Sequence, residues 1–235
     1  MSHSVSSPAA PSGSPAPVGD RRQIRRKADG VYAVMLNRLI SQEIGPGQRI
    51  TVDGVSRDLR VSQTPVREAL TRLESDGLVT KIHLVGYRAT DQLTRKQFED
   101  LFEVRLLIEP ALAAKAAINR TDEQRDAMLA CAAVMTQMAA KPVLPTYGEF
   151  ALEDAKLHDL VALSAGNEIA RESLSRLHPH LHLFRLYYHE RVPPMTLLEH
   201  QLVIDAIVSQ EPEAARIAME QHLDGGRVRL RVVFD

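Results

Sequence analysis

Residues 61–78, VSQTPVREALTRLESDGL, constrain this chain more than any other stretch. Val66, Ala69, Leu70 and Leu73 recur at i, i+3, i+4 and i+7, which is one apolar stripe of a helix. The other face carries Gln63, Thr64, Arg67, Thr71 and Arg72, side chains suited to phosphates and base edges. Ser62 stands where an N-cap belongs and Gly77 where a C′ glycine belongs. Pro65 falls in the first turn, where its missing N–H costs little. Taken alone, this is an amphipathic surface helix of a common kind. Its neighbours narrow the choice. Asp53 can cap a short helix over 54–60, and the link through Val61 and Ser62 has helix-turn-helix spacing. Residues 79–83 and 87–89 read as two short strands with a tip at 84–86. The spacing predicts a winged helix-turn-helix.

The pattern V-S-x-T-P-V-R-E-A-L-x-R-L-E-x-x-G-L-V resembles the DNA-binding domain of GntR-family bacterial transcription regulators, over about residues 28–90. The resemblance implies a double-stranded DNA operator as partner. Ser62, Gln63, Thr64 and Arg67 would face the major groove. Arg57 would approach phosphates, and Gly86 at the wing tip would let backbone come close to the duplex. A homodimer would read a pseudo-palindromic site. Two positions depart from the family. Gln63 stands where many members carry Arg after the Ser, and Asp53-Gly54 stand where many carry a basic residue. A bidentate guanine reader is thereby lost, while Gln63 can pair with adenine. Arg57, Arg60 and Arg88 are the substitutes for the missing phosphate contacts.

Charge separates the chain into two parts. Residues 1–90 hold 13 Lys and Arg against 8 Asp and Glu, whereas residues 91–235 hold 16 against 22. The net charge of −1 conceals that asymmetry, which suits a DNA-binding module joined to something acidic. Hydrophobic residues make up 44% of the chain and aromatics 4%, enough for real cores and leaning helical. The single cysteine, Cys131, excludes an internal disulfide and fits a reducing cytoplasm. No run approaches the roughly 20 apolar residues of a membrane span, and the first residues lack a secretory apolar region.

Residues 1–20 are Ser, Pro, Ala and Gly with few large apolar side chains and read as a disordered tail. Arg21, Arg22, Arg25, Arg26 and Lys27 follow, either as a solvated tail end or as an arm along DNA phosphates. Val31, Val34, Met35, Leu39 and Ile40 predict a helix over 28–42, which Gly45-Pro46-Gly47 ends. The winged domain therefore extends over 21–90. Beyond Asp91 the pattern is helical throughout. Thr94 with Gln97, Thr121 with Gln124, Thr146 with Glu149 and Thr196 with Glu199 are capping-box signatures. Asn167 and Pro212 suggest two further starts. Helices are predicted over 94–118, 122–140, 146–163, 167–190, 196–209 and 212–232, with breaks at 141–145 and 192–194. The fold class expected is mostly α: an N-terminal winged helix-turn-helix with a small β wing, plus an all-helical bundle over 91–235.

Inside that bundle, Asp154 and His158 are i, i+4 and share a helix face. His200 and His222 lie on later helices. Three imidazoles and a carboxylate suit a first-row divalent metal such as Zn, Ni or Mn, and helix bundles assemble such ligands from facing helices. An Asp and a His at this spacing are also often a plain surface pair. The segments E-x-x-x-A-x-L-H-D-L-V-A-x-x-A-G-N, L-x-E-H-x-x-V-x-x-A-I and A-A-R-x-A-M-x-x-H are similar to the FCD effector domain of the FadR subfamily of GntR regulators, over about 94–232. That resemblance implies Asp154, His158, His200 and His222 as metal ligands and a small organic acid as effector. Arg105 matches a basic position of the family and is the first effector-binding candidate, with Arg185 the second. The other reading of Arg105 is an i, i+4 salt bridge to Glu109.

The triplet His178, His180 and His182 reads as a loose or exposed cluster, since residues two apart do not share a helix face and Pro179 disturbs the helix; one member can line an effector cavity. Two other functions compete with sensing. A hydrolase-like metal enzyme could use the His and Asp ligands to activate water. The metal could also be a structural clamp alone.

Overall fold

The computed structural model describes residues 18–140, 147–186 and 194–235. The expected tail falls outside the described residues up to 17, while Val18 already begins a helix, α1 (Val18–Ile40). Val31, Met35, Leu36, Leu39 and Ile40 of α1 are buried; Val34, expected on that face, is exposed. They meet the stripe Val66, Ala69, Leu70 and Leu73 of α3 (Gln63–Ser75), all four essentially without solvent contact.

Between them come β1 (Arg49–Ile50) and α2 (Val52–Leu59). Thr51, not Asp53, caps α2: its Oγ1 accepts from Gly54 N at 3.1 Å, and Asp53 lies inside the first turn. Arg60, in the left-handed region at φ 54°, makes the tight link to α3. Ser62 occupies the N-cap position without a side-chain cap bond. Gly77, at φ +71°, turns the chain out of α3 as a C′ glycine does.

The wing is β2 (Val79–Ile82) and β3 (Gly86–Ala89). Both pair antiparallel, with Thr80 opposite Arg88. The two-residue β1 joins the far side of β3, placing Ile50 opposite Tyr87 and giving the order β1-β3-β2. Sequence gave no sign of β1. Gly86 is at φ +117°, and a Cβ there would lie 2.9 Å from Ile50 O, so the pairing of β1 with β3 requires glycine.

The back half is helical among the described residues. α4 (Arg95–Asn119) and α5 (Asp122–Ala139) each begin with a complete capping box, at Thr94 and Thr121. Thr146 and residues 141–145 and 192–193 lie outside the described residues. α6 (Tyr147–Ser164) follows. The helix expected over 167–190 is in fact two. α7 (Glu168–Leu177), capped by Asn167, ends where His178 adopts the left-handed region at φ 44°. α8 (Pro179–Leu186) starts afresh with Pro179 at N1, a position that tolerates its missing N–H. Residues 187–190 are outside the described residues. α9 (Pro194–Val208) begins two residues before Thr196, which is therefore inside the helix rather than its cap. α10 (Pro212–Arg231) has Pro212 at N1, and a 3-10 turn (Val232–Phe234) follows. α10 packs along α4 and α9, and α6 lies between α4 and α5.

The two halves are not separate beads. Tyr147 and Ala151 of α6 and Leu181 of α8 belong to the same buried cluster as α1 and α3.

Candidate metal centre and nucleic-acid interface

Ser62, Gln63, Thr64 and Arg67 are all exposed at the start of α3, on the side opposite its buried stripe. Arg57, Arg60 and Arg88 are exposed too, and Gly86 is half-buried at the start of β3. Without DNA these polar groups hold one another. Arg67 Nη2 donates to Gln63 Oε1 at 3.1 Å, and Gln63 Nε2 donates to Asp53 Oδ1 at 2.6 Å. Arg72 leaves this face: its guanidinium lies 3.8 Å above the Tyr32 ring and pairs with Asp29.

In the bundle, α6 brings Asp154 and His158 inward, α9 brings His200 and α10 brings His222; all four are buried. One ligand atom from each of His158, His200 and His222 lies within 4.8 Å of the others, and Asp154, His158 and His180 form an overlapping trio. Asp154 Oδ1 is 3.1 Å from His200 Nε2. His158 Nε2 and both ring nitrogens of His200 are buried without an aligned hydrogen bond. Buried nitrogens without partners are costly unless something absent from the protein alone satisfies them. A divalent cation does so, and three imidazoles with a carboxylate form a chemically suitable donor set.

Two carboxylates stand behind the imidazoles. Glu109 Oε2 lies 2.5 Å from His158 Nδ1, and the same carboxylate accepts from Arg105 Nε at 2.5 Å and Nη2 at 3.3 Å. Glu199 Oε2 lies 3.2 Å from His222 Nδ1, while both its oxygens take Arg229 at 2.6 Å. Each carboxylate orients one imidazole and leaves its Nε2 toward the cluster.

The electrostatics favour ligation. Burial pushes the carboxyls of Glu109 and Asp154 up, but Arg105 with His158, and His180 with His200, more than reverse it, so both lie well below the usual range. Burial likewise presses His158 down to about 4 and His222 to about 3. Neutral imidazoles and ionised carboxylates are the forms that bind metals.

Two cavities flank this centre. A smaller one, about 80 Å³, is lined by Arg105, Asp154, His180, His222 and Arg229, with Phe102 and Phe184 on its apolar side. A larger one, about 260 Å³, reaches Glu109, His158 and His180 from the other side and extends to Asp76 at the end of α3.

Two site expectations need correction. Arg185 lines neither cavity. It is buried at the junction of the halves, where Nη1 donates to Thr90 Oγ1 at 2.7 Å and Nη2 to Thr90 O at 2.8 Å. The histidine triplet is not a loose cluster either, because His180 is buried against Asp154 Oδ2 at 2.5 Å, although it is the one member that lines both cavities, as the sequence allowed. The restart of the helix at Pro179 aims it inward. Glu109, Glu199, Arg229 and His180 were not foreseen as parts of the centre. Glu109 was visible only as a salt-bridge partner of Arg105, and Glu199 only as the capping-box partner of Thr196.

The chain resembles known proteins along most of its length. The pattern described as "Bacterial regulatory proteins, gntR family" matches residues 27–88, and that of the FCD domain matches residues 100–225. YdhC of Bacillus subtilis, an HTH-type transcriptional regulator, is 25% identical over 206 residues, covering 87% of this chain and 91% of that protein. GlaR of Escherichia coli, an HTH-type transcriptional repressor, is 24% identical over 199 residues, covering 82% and 90%. Among solved structures, E. coli McbR/YncC gives a TM-score of 0.65 at 17% identity, covering 89% of this chain and 99% of that one. A GntR regulator from Rhodococcus gives 0.62 at 18%, covering 87% and 97%. At such identities the likeness is one of fold. No helix among the described residues is long and apolar enough to cross a membrane. Both matched patterns are those of transcriptional regulators, which goes against the reading of the His and Asp cluster as a hydrolase centre. With the FCD pattern alone spanning more than half of the sequence, the chain belongs to the GntR family of DNA-binding transcriptional regulators, in the branch that carries an FCD domain, and it is not an enzyme.

Proposed function

We propose that this regulator senses a small carboxylate at a divalent metal held by Asp154, His158, His200 and His222, and that occupancy of the site alters its grip on an operator. The observation that carries this is a set of buried ring nitrogens without an aligned hydrogen bond, His158 Nε2 and both of His200, gathered around Asp154, whose Oδ1 is 3.1 Å from His200 Nε2. A bound Zn, Ni or Mn ion supplies a Lewis-acidic position for a carboxylate oxygen. Arg105 and Arg229 line the adjoining cavity, and their guanidinium groups provide the second point of attachment for an anion. The apolar rings of Phe102 and Phe184 limit the effector to a small molecule.

At the other end, Ser62, Gln63, Thr64 and Arg67 enter a major groove, with Arg57 on phosphates and Gly86 at the wing's approach to the duplex. For Gln63 to reach a base, it must let go of Asp53. Two copies of the chain, acting as a homodimer in the cytoplasm, read a pseudo-palindromic operator. The effector changes DNA affinity only to the extent that it binds one conformation better than the other. Repression is the proposed sign, in keeping with the repressor names of GlaR and RspR of E. coli.

The test has two arms. Elemental analysis of purified wild type is expected to find a divalent metal, and His200→Ala to lose it while staying folded; full occupancy in the variant removes His200 from the site. Calorimetric titration of metal-loaded protein against a panel of small carboxylates is expected to find a binder that shifts a gel-retardation curve on a selected operator. A metal that binds none of them would leave only a structural clamp.

A further inference from the structure

Two of the four prospective ligands have a carboxylate behind them. Asp154 has an imidazole instead. His180 Nδ1 sits 2.5 Å from Asp154 Oδ2, and both side chains are buried. His180 lines both cavities, so it forms part of the wall between them.

The helix that presents His180 is anchored elsewhere. Five residues on, Arg185 clamps the Oγ1 and carbonyl of Thr90, just past β3. The Arg185 carbonyl accepts from Gln42 Nε2 at 3.0 Å and from Gln92 Nε2 at 2.8 Å. Leu181 lies in the core shared with α1 and α3. His178, just before α8, and His182 within it stand beside Gly77 past the end of α3: a Cβ at Gly77 would lie 3.3 Å from each ring. One short helix therefore touches the carboxylate of the metal centre, the end of the DNA-reading helix and the segment that leaves the wing.

We propose that His180 is the positioning residue of the metal centre, and that α8 carries the setting of Asp154 to the DNA-binding half through Arg185 and Thr90. The proposal rests on the reading that Asp154, His158, His200 and His222 take a metal. With Oδ2 occupied by His180, Asp154 presents Oδ1 to the cluster, the oxygen already 3.1 Å from His200 Nε2. Fixing one carboxylate oxygen to aim the other is how an outer partner tunes a ligand. A helix of eight residues spans roughly 12 Å and does not compress, so movement at His180 reappears at Arg185. Linkage makes the effect reciprocal between the two ends.

The experiment uses the full chain with zinc alone as probe, and His180→Ala, His180→Asn and His180→Gln. The Asn amide nitrogen stands near the place of Nδ1, and that of Gln near Nε2. We expect Ala and Gln to weaken zinc binding about 10- to 100-fold, and Asn to stay close to wild type. Hydrogen exchange of residues 88–93 is expected to slow on adding zinc to wild type and His180→Asn, but not to His180→Ala. If Ala does not fold, by melting of the metal-free protein, Asn against Gln decides. Loss with Asn as severe as with Ala and Gln overturns the positioning role, because an amide can replace the Nδ1 bond to Asp154 but not an imidazole bound to the metal. Wild-type zinc affinity in all three variants, with loss in His200→Ala, sinks the proposal and spares the metal site. Exchange at 88–93 indifferent to zinc in wild type sinks the transmission. A wild type that takes no zinc sinks both.

Discussion

Arg105 and Glu109 stand one turn apart on α4, each only 4% exposed. The salt-bridge reading of Arg105 and the effector reading are thus compatible, since the same guanidinium that pairs with Glu109 also lines the smaller cavity. Removing it strands a buried carboxylate beside His158. Arg105→Ala is therefore expected to destabilise the fold by about 3–5 kcal/mol, read as a shift of the urea midpoint. A change under about 0.5 kcal/mol, ordinary for surface sites, would show that Glu109 does not depend on it. Cys131 illustrates the opposite case, a group made inert. Burial, reinforced by Glu153, pushes its thiol from 9.0 up to about 12. Iodoacetamide at pH 8 is expected to leave it unlabelled until denaturant is added, with mass spectrometry as readout. The sign is that of a raised acid. Its stabilising contribution is complete below pH 9 and fades as pH climbs toward 12. At this scale spacing paired Asp154 with His158, and the resemblance to the FCD domain added His200 and His222; the fold brings the four together. The sequence did not single out His180 from the triplet, because the phase of α8 is set where α7 ends and no local pattern reports it. The left-handed turn at His178 sets that phase. Arg185 was misassigned for a related reason: its partner, Thr90, is 95 residues away and no local pattern points to it.

Among the elements, α3 was legible nearly to the residue, since its apolar stripe, first-turn proline and terminal glycine all agree with one another. The cap of α2 was not: Thr51 and Asp53 are both good cap residues, and backbone geometry chose Thr51. A two-residue strand such as β1 has no periodicity to read and exists only because β3 offers it an edge. The exposed start of α3 leads to a direct expectation. Arg67→Ala is expected to weaken operator binding by about 1–3 kcal/mol in a gel-shift titration. The variant should remain folded, because Arg67 is exposed and its side-chain bond among the described residues is to the exposed Gln63. Equal affinity for wild type and variant would take Arg67 off the bases.

For the whole molecule, the seam between halves is filled with side chains. Tyr147, Ala151 and Leu181 complete the core under α1 and α3, and Thr90, Gln92 and Gln42 all bond to Arg185. We expect calorimetry to show a single cooperative transition, since an interface that is part of a core does not open at small cost. Two well-separated heat peaks would mean that the halves unfold independently. Charge and texture alone drew a boundary near residue 90, and that boundary divides the helical texture from the winged one while running through a shared core. The Arg185 clamp also bears on engineering. A hybrid regulator spliced at residue 90, with a foreign sensor grafted behind this reading head, would keep Thr90 and discard the arginine that grips it. A working graft needs a counterpart of α8 carried across the splice.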